Sequence, residues 1–124
     1  MTAREKFSDL LGKTLTTVKG EVGGETVDFE TDTGERFRLY HSQDCCESVE
    51  VDDICGDLSD LVGTPILLAE EAESEDVPEG ASKCGDSNTW TFYKLRTIKG
   101  SVDIRFHGSS NGYYSESVDF AKVS

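Results

Sequence analysis

The stretch Leu15-Thr16-Thr17-Val18-Lys19-Gly20-Glu21-Val22-Gly23-Gly24-Glu25-Thr26-Val27-Asp28-Phe29-Glu30-Thr31-Asp32-Thr33-Gly34-Glu35-Arg36-Phe37-Arg38-Leu39-Tyr40 decides the fold. Strand-like runs cover 15–21, 25–31 and 35–40, the last two with apolar and polar residues alternating at the period of a half-buried strand. Gly23-Gly24 suits a two-residue hairpin turn, and Asp32-Thr33-Gly34 a three-residue loop with Gly34 in the left-handed region. These turns set the register: Val18 falls opposite Phe29 and Gly20 opposite Val27, then Phe29 opposite Phe37 and Val27 opposite Leu39. One apolar face results. His41 continues the parity of Phe37 and Leu39, so it points toward the core or into a pocket opening from it.

On the N-terminal side, Thr2 and Glu5 have capping-box spacing, Phe7, Leu10 and Leu11 share a helical face, and Gly12 is placed to end it, which predicts a short helix. On the C-terminal side, Val49 to Ile54 reads as a short strand or connector before a helical turn over Asp57 to Leu61 that Gly63 closes. Pro65 begins a strand through Ile66, Leu67 and Leu68. Residues 70–86 are acidic and low in apolar content, which predicts a loop without chemistry, and Cys84 within it is incidental. Strands over 89–98, 101–107 and 113–123 follow, joined by turns at Lys99-Gly100 and at 109–112. The sum is α+β: mainly antiparallel sheet with a short N-terminal helix and a short central helix, in a single domain over 1–124.

With 25 acidic and 12 basic residues among 124, the formal charge is −13. Such a chain is repelled by nucleic-acid backbones and anionic membranes, so nonspecific binding to either is excluded and any bound anion must meet a local basic site. No apolar run is long enough to cross a bilayer, the start is charged, and the cysteines read as reduced thiols, which together predict a soluble protein of the cytoplasm.

The run His41-Ser42-Gln43-Asp44-Cys45-Cys46-Glu47 gathers reactive and metal-seeking side chains in seven residues. Adjacent Cys45 and Cys46 lack the spacing that lets two sulfurs turn to one zinc ion, and Cys55 or His107 could complete a site only through folding, so no metal and no cofactor is expected. A Cys/His nucleophile would pair Cys45 or Cys46 with His41 or His107, oriented by Asp44, but the neighbouring carboxylates raise a thiol pKa instead of lowering it. The segment is read as a candidate pocket made of His41, Gln43, Asp44, Cys45, Cys46 and Glu47.

A second candidate lies on the hairpin over 90–107. A Lys99-Gly100 turn puts Leu95 opposite Ile104, Tyr93 opposite Phe106 and Thr97 beside Val102, giving a core face. The other face carries Trp90, Phe92, Lys94 and Arg96 on one strand and Asp103, Arg105 and His107 on the other. In that register Lys94 meets Arg105, a like-charge pair calling for an anion between them. Arg96 and Arg105 would pair with phosphate, Lys94 would add charge, Trp90 or Phe92 would stack on a base, and Asn111 with Tyr113 would hydrogen-bond.

Four strings, His41-Ser42-Gln43-Asp44-Cys45-Cys46-Glu47, Gly63-Thr64-Pro65-Ile66-Leu67-Leu68-Ala69-Glu70-Glu71, Thr89-Trp90-Thr91-Phe92-Tyr93-Lys94-Leu95 and Ser110-Asn111-Gly112-Tyr113-Tyr114-Ser115-Glu116, together resemble an uncharacterised family of small bacteriophage and prophage proteins. The resemblance implies a setting, a bacterial host cell and host-takeover or anti-defence work, and no mechanism. Three readings follow. The first is a non-enzymatic accessory protein that binds or sequesters a small anionic, nucleotide-like ligand at the hairpin face, at the interface of a homo-oligomer. The alternative is an acidic inhibitor or nucleic-acid mimic that binds a host or defence protein. The third is a thiol- or metal-dependent enzyme centred on His41 and Cys45.

Overall fold

The computed structural model describes residues 3–4 (backbone alone), 6–42, 47–74, 87–110 and 116–123. The strands are β1 (Ala3–Arg4), β2 (Leu15–Lys19), β3 (Val27–Thr31), β4 (Arg36–Tyr40), β5 (Ser48–Cys55), β6 (Leu68–Ser74), β7 (Ser87–Thr97), β8 (Gly100–Ser110) and β9 (Asp119–Lys122). They form two sheets, ordered β1-β9-β4-β3-β2 and β5-β8-β7-β6, and each neighbouring pair is antiparallel.

The hairpin registers from the central stretch hold: Val18 pairs with Phe29, Phe29 with Phe37 and Val27 with Leu39. Their common face supplies Val27, Phe29, Phe37 and Leu39 to a single core shared with Val49, Val51, Tyr93, Leu95, Ile104 and Phe106 of the other sheet. Phe7 bridges the two sheets, its ring centroid 4.7 Å from that of Tyr93 and 5.4 Å from that of Phe120. Two sheet edges are covered by hydrogen bonds. The Gly23-Gly24 turn reaches β5 (Gly23 N–H to Val51 O, 2.8 Å; Val51 N–H to Gly24 O, 2.7 Å), and residues 63–66 reach the start of β2 (Gly63 N–H to Leu15 O, 2.9 Å).

The architecture is mainly β, not α+β, and no α-helix occurs among the described residues. The expected N-terminal helix is a single 3-10 turn, Phe7–Leu10, and the expected central helix is another, Leu58–Leu61, capped by the Asp57 carboxylate on the Ser59 N–H (3.0 Å). The i, i+3 spacing of Phe7 and Leu10 serves a 3-10 turn as well as an α-helix, and four residues cannot repay α-helix nucleation. Leu11 is turned to solvent and Gly12 ends the turn at φ 80°.

The acidic stretch is also corrected in part. Glu70 to Ser74 belong to β6, which begins at Leu68 and pairs along its length with β7, while 75–86 lie outside the described residues. Partnership with a strong neighbouring strand overrides a polar composition.

The last hairpin turns at Ile98-Lys99, with Thr97 paired to Gly100. Leu95 therefore meets Val102, Tyr93 meets Ile104 and Lys94 meets Asp103, two residues out of the expected register. Contacts with the second 3-10 turn settle this: Thr97 Oγ1 donates to Asp60 O (2.5 Å) and Lys99 Nζ to Val62 O (2.7 Å). A Cβ on Gly100 would stand 2.8 Å from the Asp60 carboxylate.

Candidate functional site

Because a two-residue shift preserves strand parity, the outer face of β7 and β8 carries the expected side chains in a changed arrangement. Trp90 lies across from His107, Phe92 from Arg105 and Lys94 from Asp103. Lys94 is also across from Glu70 on β6, so it stands between two carboxylates and not against a cation. Arg105 Nε donates to Asp52 Oδ2 at 2.7 Å, and Asp53 is its neighbour on β5. The Lys94–Arg105 pair that called for an anion does not exist. Lys94 and Arg96 are exposed, and Phe92 is half-buried.

Trp90 is 0 % exposed although it sits on the outer face. Its indole stacks on the His107 imidazole, with centroids 4.7 Å apart and planes 4° from parallel. With Asn88 presenting Oδ1, His107 Nε2 carries a proton and donates to it at 2.7 Å. The stack takes Trp90 out of the surfaces available to a ligand, which leaves Phe92 as the aromatic with free area. Asn111 and Tyr113 lie outside the described residues.

At one end of the sheets the segments around His41 and Glu47, Thr89, Ser110 and Glu116 come together. His41, just past β4, is buried with Glu47, their side chains 4 % and 0 % exposed. Its Nδ1 donates to the Ser117 carbonyl at 2.6 Å, and its Nε2 is 2.8 Å from Glu47 Oε2. A carbonyl only accepts, so Nδ1 bears hydrogen and one further proton is shared between Nε2 and the carboxyl. Both ring nitrogens are thereby committed, and the imidazole is not positioned as a general base for an outside substrate. Beside it opens a pocket of about 240 Å³ that Tyr40, His41, Glu47 and Glu50 help to line. Gln43, Asp44, Cys45 and Cys46 lie outside the described residues.

Glu116, immediately before Ser117, is buried and accepts from Thr89 Oγ1 (2.8 Å) and Ser110 Oγ. Gly108 permits this approach, since a Cβ there would lie 2.7 Å from Glu116 Cβ and 2.8 Å from its carbonyl oxygen. Asn88, Glu116 and Ser117 were not legible as site residues in the sequence; a glycine inside a strand pattern, Gly108, was the available sign of a close backbone approach. Among the described residues no three His, Cys, Asp or Glu side chains come together to hold a metal ion, and no helix is long and apolar enough to cross a membrane.

Charge is divided unevenly between the sheets. The outer face of the five-stranded sheet is balanced, with Arg38 paired to Asp28 (2.6 Å) and Arg36 near Glu30 (3.7 Å). The outer face of the four-stranded sheet sets Glu50, Asp52, Asp53, Glu70 and Asp103 against Lys94, Arg96 and Arg105. These features define a two-sheet antiparallel β protein with an acidic outer face and buried polar clasps at one end. The chain belongs to the family described as Domain of unknown function (DUF7448), whose family model matches residues 8–120. No curated protein and no solved structure matches it.

Proposed function

We propose that the protein is a non-enzymatic binding protein whose contact surface is the acidic outer face of the four-stranded sheet, met by a basic surface of a partner protein. The observation that carries this is the concentration of unbalanced carboxylates there. Arg105 is already held by Asp52, and Lys94 stands between Glu70 and Asp103, while the opposite sheet pairs its charges. A net negative field on one face speeds encounter with a complementary partner and selects against acidic ones. The resemblance to small bacteriophage proteins fits an inhibitor or nucleic-acid mimic directed at a host or defence protein.

The test is affinity purification from the native cells in parallel with an Asp52→Asn/Asp53→Asn/Asp103→Asn variant. The expected result is a basic partner retained by the natural chain, released by moderate salt and lost by the variant. Equal capture by both proteins overturns the reading. Phe92 beside exposed Lys94 and Arg96 is what still supports a nucleotide-like ligand. Calorimetry against mono-, di- and cyclic nucleotides separates the two, because sub-millimolar binding abolished by Arg96→Ala would favour the anion site.

A further inference from the structure

We propose that the cleft between the first 3-10 turn, β6 and β9 receives an arginine side chain presented by the partner protein. This rests on the acidic-partner reading and supplies its anchor, since Glu70 belongs both to the outer face of β6 and to the rim of the cleft.

The cleft holds about 520 Å³, within the range of pockets that enclose a long side chain or small ligand. Buried Phe7, Ala69 and Phe120 give it apolar walls for an aliphatic stem, and Glu70, Glu71 and Asp119 place carboxylates at its rim. Lys6 is the only cation among the described lining residues and is outnumbered.

Near the Glu71 and Asp119 carboxylates of the rim is a buried hydroxyl without a hydrogen-bond partner, Tyr93 Oη. Tyr93 is the cross-strand partner of Glu71. The Glu71 carboxylate lies near enough to interact with the Tyr93 hydroxyl, though not in good hydrogen-bond geometry. Burying a hydroxyl with no partner is costly, so an occupant that bonds to it recovers that cost. A guanidinium brings donors alone: the Tyr93 oxygen would accept one while its own proton turns to Glu71. Partial burial, then the nearby Glu73 and Asp119 charges, hold the Glu71 carboxyl above the ordinary range, a repulsion that a cation would relieve. Arginine fits better than lysine because its planar, weakly hydrated head can lie on a phenyl ring while forking between two acceptors.

The test is titration of the full chain with Nα-acetyl-arginine amide, followed by amide chemical shifts, alongside the citrulline, lysine and spermidine counterparts. The arginine probe should give saturable shifts at Phe7, Glu71, Asp119 and Phe120, and citrulline none. Glu71→Gln, at an exposed position, should weaken binding by about tenfold, the scale of one charge-assisted hydrogen bond, with the rest of the spectrum unchanged. Shifts centred elsewhere, equal binding of citrulline, or tighter binding of spermidine would each overturn the proposal, the last by assigning the cleft to a free polyamine. The Asp52→Asn/Asp53→Asn/Asp103→Asn variant should keep the arginine response, so failure of the outer-face reading and failure of the cleft are read separately.

Discussion

Replacing His41 with alanine strikes the contact that ties the end of β4 to the start of β5 and to the segment entering β9. The imidazole bonds at one nitrogen to the Ser117 carbonyl (2.6 Å) and at the other to the Glu47 carboxyl (2.8 Å), and both side chains are out of water. Whether the shared proton sits on nitrogen or oxygen, the pair satisfies both hydrogen bonds without leaving net charge. In His41→Ala the carbonyl loses this donor, worth about 1 kcal/mol, and the carboxyl loses one buried partner. Breaking a buried pair from one side costs about 3–5 kcal/mol, a large part of the roughly 5–15 kcal/mol that holds a domain together. Glu47→Gln keeps a group that can bond to Nε2 and should cost only about 1–2 kcal/mol. The double variant should be less destabilised than the sum of the singles by more than about 1 kcal/mol, the signature of directly coupled residues. Guanidinium unfolding read by the fluorescence of Trp90, the chain's one tryptophan, measures all three. An accompanying fall in Tm of roughly 10–20 °C is expected for His41→Ala in a chain of this size. A variant within about 1 kcal/mol of the natural protein, the median scale of a surface ion pair, would refute the clasp. So would additive single substitutions.

Gly108→Ala forces a Cβ against the Glu116 backbone and should cost about 1–3 kcal/mol in denaturant titrations, with amide shifts at Thr89 and Ser110 reporting the displaced carboxylate. Glu71→Gln should stabilise at neutral pH by no more than about 1 kcal/mol, because a carboxyl whose folded-state pKa is raised favours folding below its unfolded value and loses that contribution as pH rises through the folded one. The gain should vanish below the ordinary carboxylate value of 4.5, and a constant offset across pH would contradict the cause. A double-mutant cycle on Lys94 and Asp103 should show favourable coupling of about 0.2–1 kcal/mol, and one on Lys94 and Arg105 none that is repulsive; the opposite pattern would restore the other register.

The antiparallel frame of residues 15–40, the face shared by Phe29, Phe37 and Leu39, and the grouping of Trp90, Phe92, Lys94, Arg96, Arg105 and His107 on one face follow from the sequence alone, because side-chain alternation and turn length are local properties. The same alternation directs His41 inward. It is blind to a shift of two residues, which leaves every side chain on its own face while changing every partner, so the exchange of Arg105 for Asp103 opposite Lys94 was settled by Thr97, Lys99 and Gly100 meeting the turn around Asp60. Composition likewise marked residues 70–74 as loop, and only pairing with β7 makes them a strand. Ser117 bonded to His41, Thr89 bonded to Glu116 and Glu71 across from Tyr93 come from segments distant along the chain, where hydrogen bonding and burial are fixed by packing, and no local period carries that information.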